Sequence, residues 1–172
     1  GVYNLKATIQ SINPTPMVQN LQQIPTNSTI LSLNGQKVDS WNSAEEVFSD
    51  EIKHTTQLNL KLQVGAEQKI INLNLNKYLD NSENPSLANL GLYPFQYLPI
   101  ISYVEPQSPA AKAGLREQDK VLQINQTPIK SWFTLAAIIR SSPSDKLLFS
   151  IIRGHESQQL SIIPDSAEDD NG

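Results

Sequence analysis

The sequence has no cysteine, which excludes thiol catalysis and a disulfide scaffold. It also lacks an apolar run of the roughly 18–20 residues that a bilayer-spanning helix needs, and it shows no signal-peptide pattern. Positive charge is not in excess: the net charge of −4 argues against a phosphate-binding surface and so against nucleic acid as a partner. Of the 172 residues, 38% are apolar, which is little for one large core and enough for two small ones.

Residues that could carry catalysis or bind a metal are scarce as well. The two histidines, His54 and His155, have no second ligand at helical spacing, and no His-Glu-x-x-His motif is present. There is no Gly-x-Ser-x-Gly elbow, and Glu45-Glu46 is expected on the outer face of a helix rather than in a metal loop. The sequence therefore predicts no catalytic residue, no metal site and no cofactor in this chain.

One stretch, "SPAAKAGLREQDKVLQIN" (108–125), combines a short helix, a turn and a strand. Ser108 is a suitable N-cap, Pro109 fits the first helical turn, and Gly114 suits the left-handed residue just past the helix end. The apolar residues that follow predict a buried strand over Val121–Ile124.

The chain contains two copies of one pattern. "ILSLNGQKVDSW" (30–41) resembles "VLQINQTPIKSW" (121–132), and "INPTPMVQ" (12–19) resembles "VEPQSPAAK" (104–112). Two pairs of residues, Asn34 with Asn125 and Trp41 with Trp132, are each 91 residues apart. A fixed offset of this kind indicates two tandem copies of one small fold.

The same order of elements is predicted in both copies. In the first, a strand, an Asn-Gly turn and a second strand precede a helix capped by Asn42 or Ser43, with Ala44, Val47 and Phe48 on one face. Alternating apolar residues then predict a strand over 57–64 and a partner strand over 71–75. In the second copy a helix over 131–140 precedes strands in "KLLFSIIR" and "QLSIIP", so each copy has five or six short strands and two helices.

Helical spacing predicts which face of the helix over 131–140 each of its side chains lies on. Leu135, Ile138 and Ile139 share one face and are predicted to be core, whereas Phe133, Ala136 and Arg140 lie off that face and could border a groove. Trp41 and Trp132 each enter a helix, where packing of the helix onto the sheet is favoured over contact with a ligand.

The second copy opens with "NLGLYPF", and together with "SPAAKAGL" and "QDKVLQIN" this resembles a bacterial PDZ domain in the circularly permuted arrangement. The resemblance implies that Leu90-Gly91-Leu92 is a carboxylate-binding loop and that the strand Leu92–Phe95, including Tyr93 and Pro94, offers an edge to a peptide. The other wall of the groove would be the helix with Phe133, Ala136 and Arg140. The plainer alternative for Gly91 is a turn before a strand.

In the first copy the possible counterpart of this loop is Gly1-Val2-Tyr3, although the alignment there needs a gap. No residue of the first copy matches Gly114, and Asn20 is the candidate for the left-handed position. The fold predicted is α+β and mainly β: two tandem circularly permuted PDZ domains, each a small, partly open β-barrel or sandwich with two helices.

Four regions are expected. The first PDZ domain covers 1–78, a linker covers 79–89 because "NKYLDNSENPSLAN" is polar and broken by Pro85, and the second domain covers 90–166. The acidic tail over 167–172 is expected to be disordered. Since the chain begins inside what reads as a strand, "GVYNLKATI", it is expected to be a piece of a larger protein.

Over almost its whole length the chain resembles the region between the membrane segments of the regulator of sigma-E protease family, which are bacterial site-2 intramembrane zinc metalloproteases. Gln118-Asp119 departs slightly, because a Gly-Asp pair is commoner there. The resemblance implies a periplasmic regulatory module of an inner-membrane protein, with zinc and catalysis elsewhere in the parent. Its partners would be the parent's membrane-embedded core and the C-terminal peptide or periplasmic part of a membrane anti-sigma factor. Two alternatives stay open: a passive structural spacer, and the PDZ pair of a periplasmic serine protease or secretion component.

Overall fold

Alternating apolar residues build a β-hairpin in each half of the chain. In the computed structural model, which describes residues 5–165, Leu58, Leu60 and Leu62 of the first half and Leu147, Phe149 and Ile151 of the second all point inward and are buried. Contacts divide the chain into two compact units, the first ending at Gln96 and the second beginning at Tyr97.

The first unit contains an open sheet in the order β1-β3-β5-β6, with β4 paired to β3, and a separate antiparallel pair of β2 with β7. Helix α1 packs on β3, and a short 3-10 helix covers Leu21–Gln23. The elements of this unit are β1 (Thr8–Ile9), β2 (Ser11–Ile12), β3 (Ser28–Leu33), β4 (Gln36–Lys37), α1 (Trp41–Glu51), β5 (Gln57–Val64), β6 (Glu67–Asn74), α2 (Asn76–Asp80), α3 (Leu87–Leu90) and β7 (Leu92–Tyr93).

The second unit contains an open four-stranded sheet in the order β11-β10-β8-β9 and two helices. Its elements are α4 (Pro109–Ala113), β8 (Lys120–Ile124), β9 (Thr127–Pro128), α5 (Trp132–Ser141), β10 (Leu147–Arg153) and β11 (Glu156–Ile162). As predicted, Ser108 caps α4, Pro109 lies in its first turn, and Gly114 ends it in the left-handed conformation. The predicted class, α+β and mainly β, is confirmed, and the sheets are open rather than closed into a barrel.

The internal repeat is visible in individual hydrogen bonds. The backbone N–H of Asn34 donates to Asn59 O and that of Asn125 to Leu148 O, at 2.9 and 2.7 Å, and both asparagines have a positive φ. In return the side-chain Oδ1 of each asparagine accepts the backbone N–H of the same partner, at 2.7 and 3.0 Å. Two copies of one strand-turn-strand unit explain why asparagine stands at both positions.

A register shift also recurs at equivalent residues. The pairing of β3 with β5 skips Leu31, and that of β8 with β10 skips Leu122, 91 residues later. The extra residue in β8 explains why Leu122, which was predicted to be buried, is 37% exposed while Val121 and Ile124 are buried as expected.

Helix α1 begins earlier than predicted, whereas α5 begins close to the predicted residue. Ser40, not Asn42 or Ser43, caps α1, and Ser43 returns a hydrogen bond to the backbone of Ser40 in a capping box. Ser131 caps α5 at the equivalent place. Ala44 and Phe48 are buried and Val47 packs against the core, as the helical spacing predicts.

The boundary between the units differs from the predicted one. Residues 79–89 are not a linker, because α2 and α3 pack on the first unit through buried Tyr78 and Leu87. Leu90 and Leu92 are buried in the same core, so the first unit extends to Gln96 rather than ending at 78. Pro85 lies between the two short helices and does not open the chain. The expected disordered tail over 167–172 lies outside the described residues.

None of the helices in residues 5–165 is both long enough and apolar enough to cross a bilayer.

Candidate functional site

Helix α5 presents an apolar stripe that the described residues of the second unit cover only in part. Trp132, Ala136 and Ile139 follow one another at helical spacing on one side of the helix. Trp132 is 39% and Ile139 36% exposed, whereas Leu135 on the inner face is buried and Ile138 packs against the core. The stripe runs for about two turns, which is the length over which a short extended peptide can lie.

The prediction for this helix was partly wrong. Ile139 is not core, and Trp132 does not pack fully onto the sheet, because both lie at the margin of the helix face that carries Leu135 and Ile138 and are more than a third exposed. Leu135 and Ile138 are core as predicted. The signal for the exposed stripe was present in the spacing of positions 132, 136 and 139, but periodicity cannot separate a groove from a core face.

The residues predicted to border a groove lie beside this stripe. Ala136 and Phe133 are half-buried, and the ring of Phe133 packs against Tyr97 with centroids 4.9 Å apart. The backbone N–H of Trp132 donates to Tyr97 O at 2.7 Å, which ties the start of α5 to the start of the unit. Arg140 is exposed and carries the one positive charge of α5. The helix therefore combines apolar surface with a cation near its end.

The predicted carboxylate-binding loop has a different environment. The N–H of Leu90 donates to Ser86 O and that of Gly91 to Leu87 O and Ala88 O, so both amides are used within α3. The side chains of Leu90 and Leu92 are fully buried in the first unit. These two amides and side chains are thus not available to a peptide in this structure, because α3 and the core already use them.

Beyond Gly91, the segment pairs with the first unit. Leu92 and Tyr93 lie opposite Ile12 and Ser11, and Ser11 Oγ donates to Phe95 O at 2.7 Å. Tyr93 is half-buried, Pro94 is buried, and Phe95 is 44% exposed. The candidates Gly1, Val2 and Tyr3 lie outside the described residues.

A polar network holds α3 in place. The carboxylate of Glu45 accepts the N–H of Leu87 at the first turn of α3, where a negative charge is favourable, so Glu45 is not merely a surface residue. The Tyr78 hydroxyl donates to Asn89 Oδ1 at 2.8 Å. Burial is the main cause that raises the pKa of Tyr78, with hydrogen bonds from its surroundings acting in the opposite direction.

In the second unit a buried ion pair was not predicted from sequence. The buried carboxylate of Asp119 receives both Nε and Nη2 of Arg153, at 2.9 and 2.8 Å, and the N–H of Arg116. Nη2 of Arg153 also donates to Gly114 O at the end of α4. Burial pushes the pKa of Asp119 upward, but these hydrogen bonds and charges outweigh it and the pKa is lowered. The network fixes the turn between α4 and β8 and includes no residue of the α5 stripe.

His54 and His155 are both exposed, as expected of solvated polar residues. Within residues 5–165, no three histidine, aspartate or glutamate side chains come close enough together to hold a metal ion.

Comparison with known proteins agrees with the fold. The family described as PDZ domain matches residues 100–153, which contain α4, β8, β9, α5 and β10. The chain is 26% identical over 149 residues to the regulator of sigma-E protease RseP of Escherichia coli strain K12, a match that covers 84% of this chain and 33% of that protein.

Two further relatives are proteases by name. A putative zinc metalloprotease of Neisseria meningitidis, NMA0084, is 26% identical over 179 residues, covering 98% of this chain and 38% of that protein. The probable protease eep of Enterococcus faecalis is 40% identical over 65 residues, covering 38% of this chain and 15% of that protein. The resemblance to the PDZ region of the regulator of sigma-E protease family is confirmed. The chain spans about a third of the length of the relatives that it matches along most of its own length.

Proposed function

Starting from a PDZ domain within a relative of zinc metalloproteases, we propose that this chain is a non-catalytic regulatory module of a membrane-embedded zinc protease, and that α5 forms one wall of a peptide-binding groove. The observation that carries the proposal is the partly exposed stripe of Trp132, Ala136 and Ile139 inside the region that matches the PDZ family. PDZ domains are among the modules that bind extended peptides.

The chemistry of the stripe suggests the ligand. A short peptide with an apolar last residue would bury part of Trp132 and Ile139, and its C-terminal carboxylate would lie near the positive charge of Arg140. Burial of one large apolar side chain, together with main-chain pairing, gives affinities on a micromolar scale, roughly −8 kcal/mol. The role assigned by resemblance to Leu90, Gly91 and Leu92 is not part of this proposal, because the amides of Leu90 and Gly91 are bonded within α3 and the side chains of Leu90 and Leu92 are buried in the first core.

Within the parent, we propose that the module controls access of substrate to the protease, either by steric filtering or by reading the new C-terminus of a pre-cleaved anti-sigma factor. The name of the Escherichia coli relative supports a link to sigma-E regulation. We propose a periplasmic location for the module as part of the same role. Zinc and the catalytic residues would lie in the remaining two thirds of the parent. The purified chain should then retain no stoichiometric zinc after dialysis, and one equivalent per chain would contradict this part of the proposal.

Peptide binding is tested by NMR titration of the chain with an apolar peptide that has a free C-terminus. We expect shifts at residues 132–140, a loss of binding in Ala136→Asp, and normal binding in Ala137→Asp, a matched control on the other side of α5. Amidation of the peptide should weaken binding to the unmodified chain much more than to Arg140→Gln. If no free apolar C-terminus shifts any residue at millimolar concentration, the reading of C-termini is wrong and a spacer or size filter is favoured instead.

A further inference from the structure

The first unit shows how a strand with a glycine between two leucines binds to an edge of this fold. The N–H of Asn13 donates to Gly91 O at 2.7 Å and the N–H of Gln10 donates to Tyr93 O at 2.8 Å. The glycine is required, because a Cβ on Gly91 would lie 2.1 Å from the carbonyl oxygen of Asn13 and its φ is +109°. The edge that β2 provides is therefore filled by the chain itself.

The second unit has the same edge. Three hydrogen bonds set the position of the opening strand in the first unit, from Trp41 N to Leu5 O, from Ile30 N to Ala7 O and from Asn27 N to Ile9 O. The same three recur in the second unit, from Trp132 N to Tyr97 O, from Val121 N to Pro99 O and from Gln118 N to Ile101 O. The two opening strands thus correspond at a constant offset of 92 residues, which places Tyr103 and Val104 where Ser11 and Ile12 lie.

The two edges differ in occupancy. Tyr103 and Val104 belong to no strand, and no main-chain hydrogen bond joins Ser102, Tyr103 or Val104 to another part of residues 5–165. Tyr103 is 68% exposed, the highest value among the large apolar side chains of the second unit, whereas its counterpart Ser11 is buried under β7. An unpaired edge with an exposed aromatic side chain is a template for strand addition.

We propose that Ser102–Glu105 is a strand-acceptor site for an extended peptide that carries a glycine between two large apolar residues. By the correspondence, the N–H groups of Ser102 and Glu105 donate to the peptide as those of Gln10 and Asn13 do in the first unit. The glycine lies opposite Glu105, where a Cβ meets the main-chain carbonyl. Glu105 replaces Asn13 and adds a negative charge, so the site favours neutral or basic peptides over acidic ones. The site is distinct from the stripe of α5 and does not depend on the function proposed for that stripe.

The probe is a synthetic peptide with the sequence of Asn89–Phe95, blocked at both ends, added to the full chain. We expect slowed amide hydrogen exchange at Ser102 and Glu105 and no change at Gln10 and Asn13, whose edge is already filled. A peptide with valine in place of the glycine should bind about tenfold more weakly or not at all. This comparison uses the unmodified chain, so it does not depend on the folding of a variant.

A chain variant gives a second readout. Glu105→Pro removes one of the two donors and should abolish peptide binding, while the Ala136→Asp variant of α5 should bind the peptide normally. Four results would overturn the proposal: no protection at Ser102 and Glu105, equal binding of the glycine and valine peptides, changes confined to α5, or changes at Gln10 and Asn13. Protection at Ser102 and Glu105 that rises with chain concentration without peptide would also overturn it, since a second copy would then be the occupant.

Discussion

The two units share a scaffold and differ in how it is closed. In both, the same asparagine, the same register shift and the same serine cap recur. Over residues 5–96 of the first unit, 20 buried apolar residues form the core, Trp41 faces inward, and an added strand covers the β2 edge. In the part of the second unit that the structure describes, the core has 10 buried apolar residues, Trp132 is exposed, and the corresponding edge is unpaired. The two copies thus differ in core size and in whether the equivalent edge is covered, and the peptide binding proposed above concerns the second copy alone.

The largest expected effect on stability comes from truncating the first unit before its last helix and strand. A chain that stops at residue 84 loses Leu87, Leu90 and Leu92, three fully buried side chains worth about 5–9 kcal/mol in total. Because that is comparable to the whole stability of a small domain, residues 5–84 should not unfold cooperatively, whereas residues 5–96 should. Thermal unfolding followed by circular dichroism compares the two. Equal cooperativity would mean that the added strand is dispensable.

The tryptophans give the next largest contrast. Trp41 is 7% exposed and Trp132 is 39% exposed, although both start a helix at the equivalent position. Trp41→Ala should lower the free energy of unfolding by about 3–4 kcal/mol, and Trp132→Ala by about 1 kcal/mol. Urea unfolding of each variant measures the difference. Similar losses in both would contradict the assignment of Trp132 to a binding surface.

The two residues of the ion pair in the second unit can be replaced by the uncharged residues at the equivalent positions of the first unit. Ser28 and Val64 occupy the places of Asp119 and Arg153, so Asp119→Ser alone leaves a guanidinium without its carboxylate and should cost about 2–3 kcal/mol. The double variant Asp119→Ser with Arg153→Val should recover most of this loss, because neither charge remains. A double-mutant cycle in urea tests this, and additive losses would contradict it.

The stability that the Asp119 carboxylate contributes should decrease as the pH is lowered. The pKa of Asp119 is lowered in the folded state, so its contribution is present above the unfolded pKa of about 3.9 and is lost as pH falls through the folded value. The stability gap between the unmodified chain and Asp119→Ser should therefore be constant from about pH 5 to 7 and should narrow below about pH 4. A gap that widens on acidification would exclude the pair as its source.

The smallest contrast concerns the turn asparagines. The side chain of Asn34 donates to Glu51 and to Gln57 O and accepts the N–H of Asn59. Among residues 5–165, the side chain of Asn125 has only the bond from Leu148 N. Asn34→Ala should cost about 2 kcal/mol and Asn125→Ala about 1 kcal/mol. Differential scanning calorimetry of the two variants tests the order, and a larger loss at Asn125 would reverse it.

Local chemistry made much of the fold predictable. Ser108 and Gly114 mark the ends of α4 because cap and left-handed positions have strict residue preferences, and alternation marks β5 because its side chains face core and solvent in turn. Asn20, proposed for the left-handed position of the first copy, has a φ of +76°. The class of the fold followed from the number and order of these elements.

The packing of residues 76–96 on the first unit could not be predicted from local sequence patterns. "NKYLDNSENPSLAN" is polar in composition, and its few apolar side chains, Tyr78 and Leu87, matter only because the tertiary structure brings them to the first core. The alternation around Gly91 predicts a strand but not the unit in which it pairs. Likewise, the residues 119 and 153 that form the ion pair are 34 positions apart, and no local pattern connects them.

The pairing of β7 with β2 means that the first and last copies in a tandem array of this fold are not equivalent. The sequence copy that opens at Leu90 and the structural unit that ends at Gln96 overlap. Strand β7 therefore comes first in the second sequence copy but completes the first structural unit. If a gene duplication added a third copy of residues 90–165, its first strand would close the edge at Tyr103 and Val104, and the new copy would carry an open edge of its own. In an array that grows by this rule, every inner copy is sealed by its successor, and the accessible edge always lies on the last one.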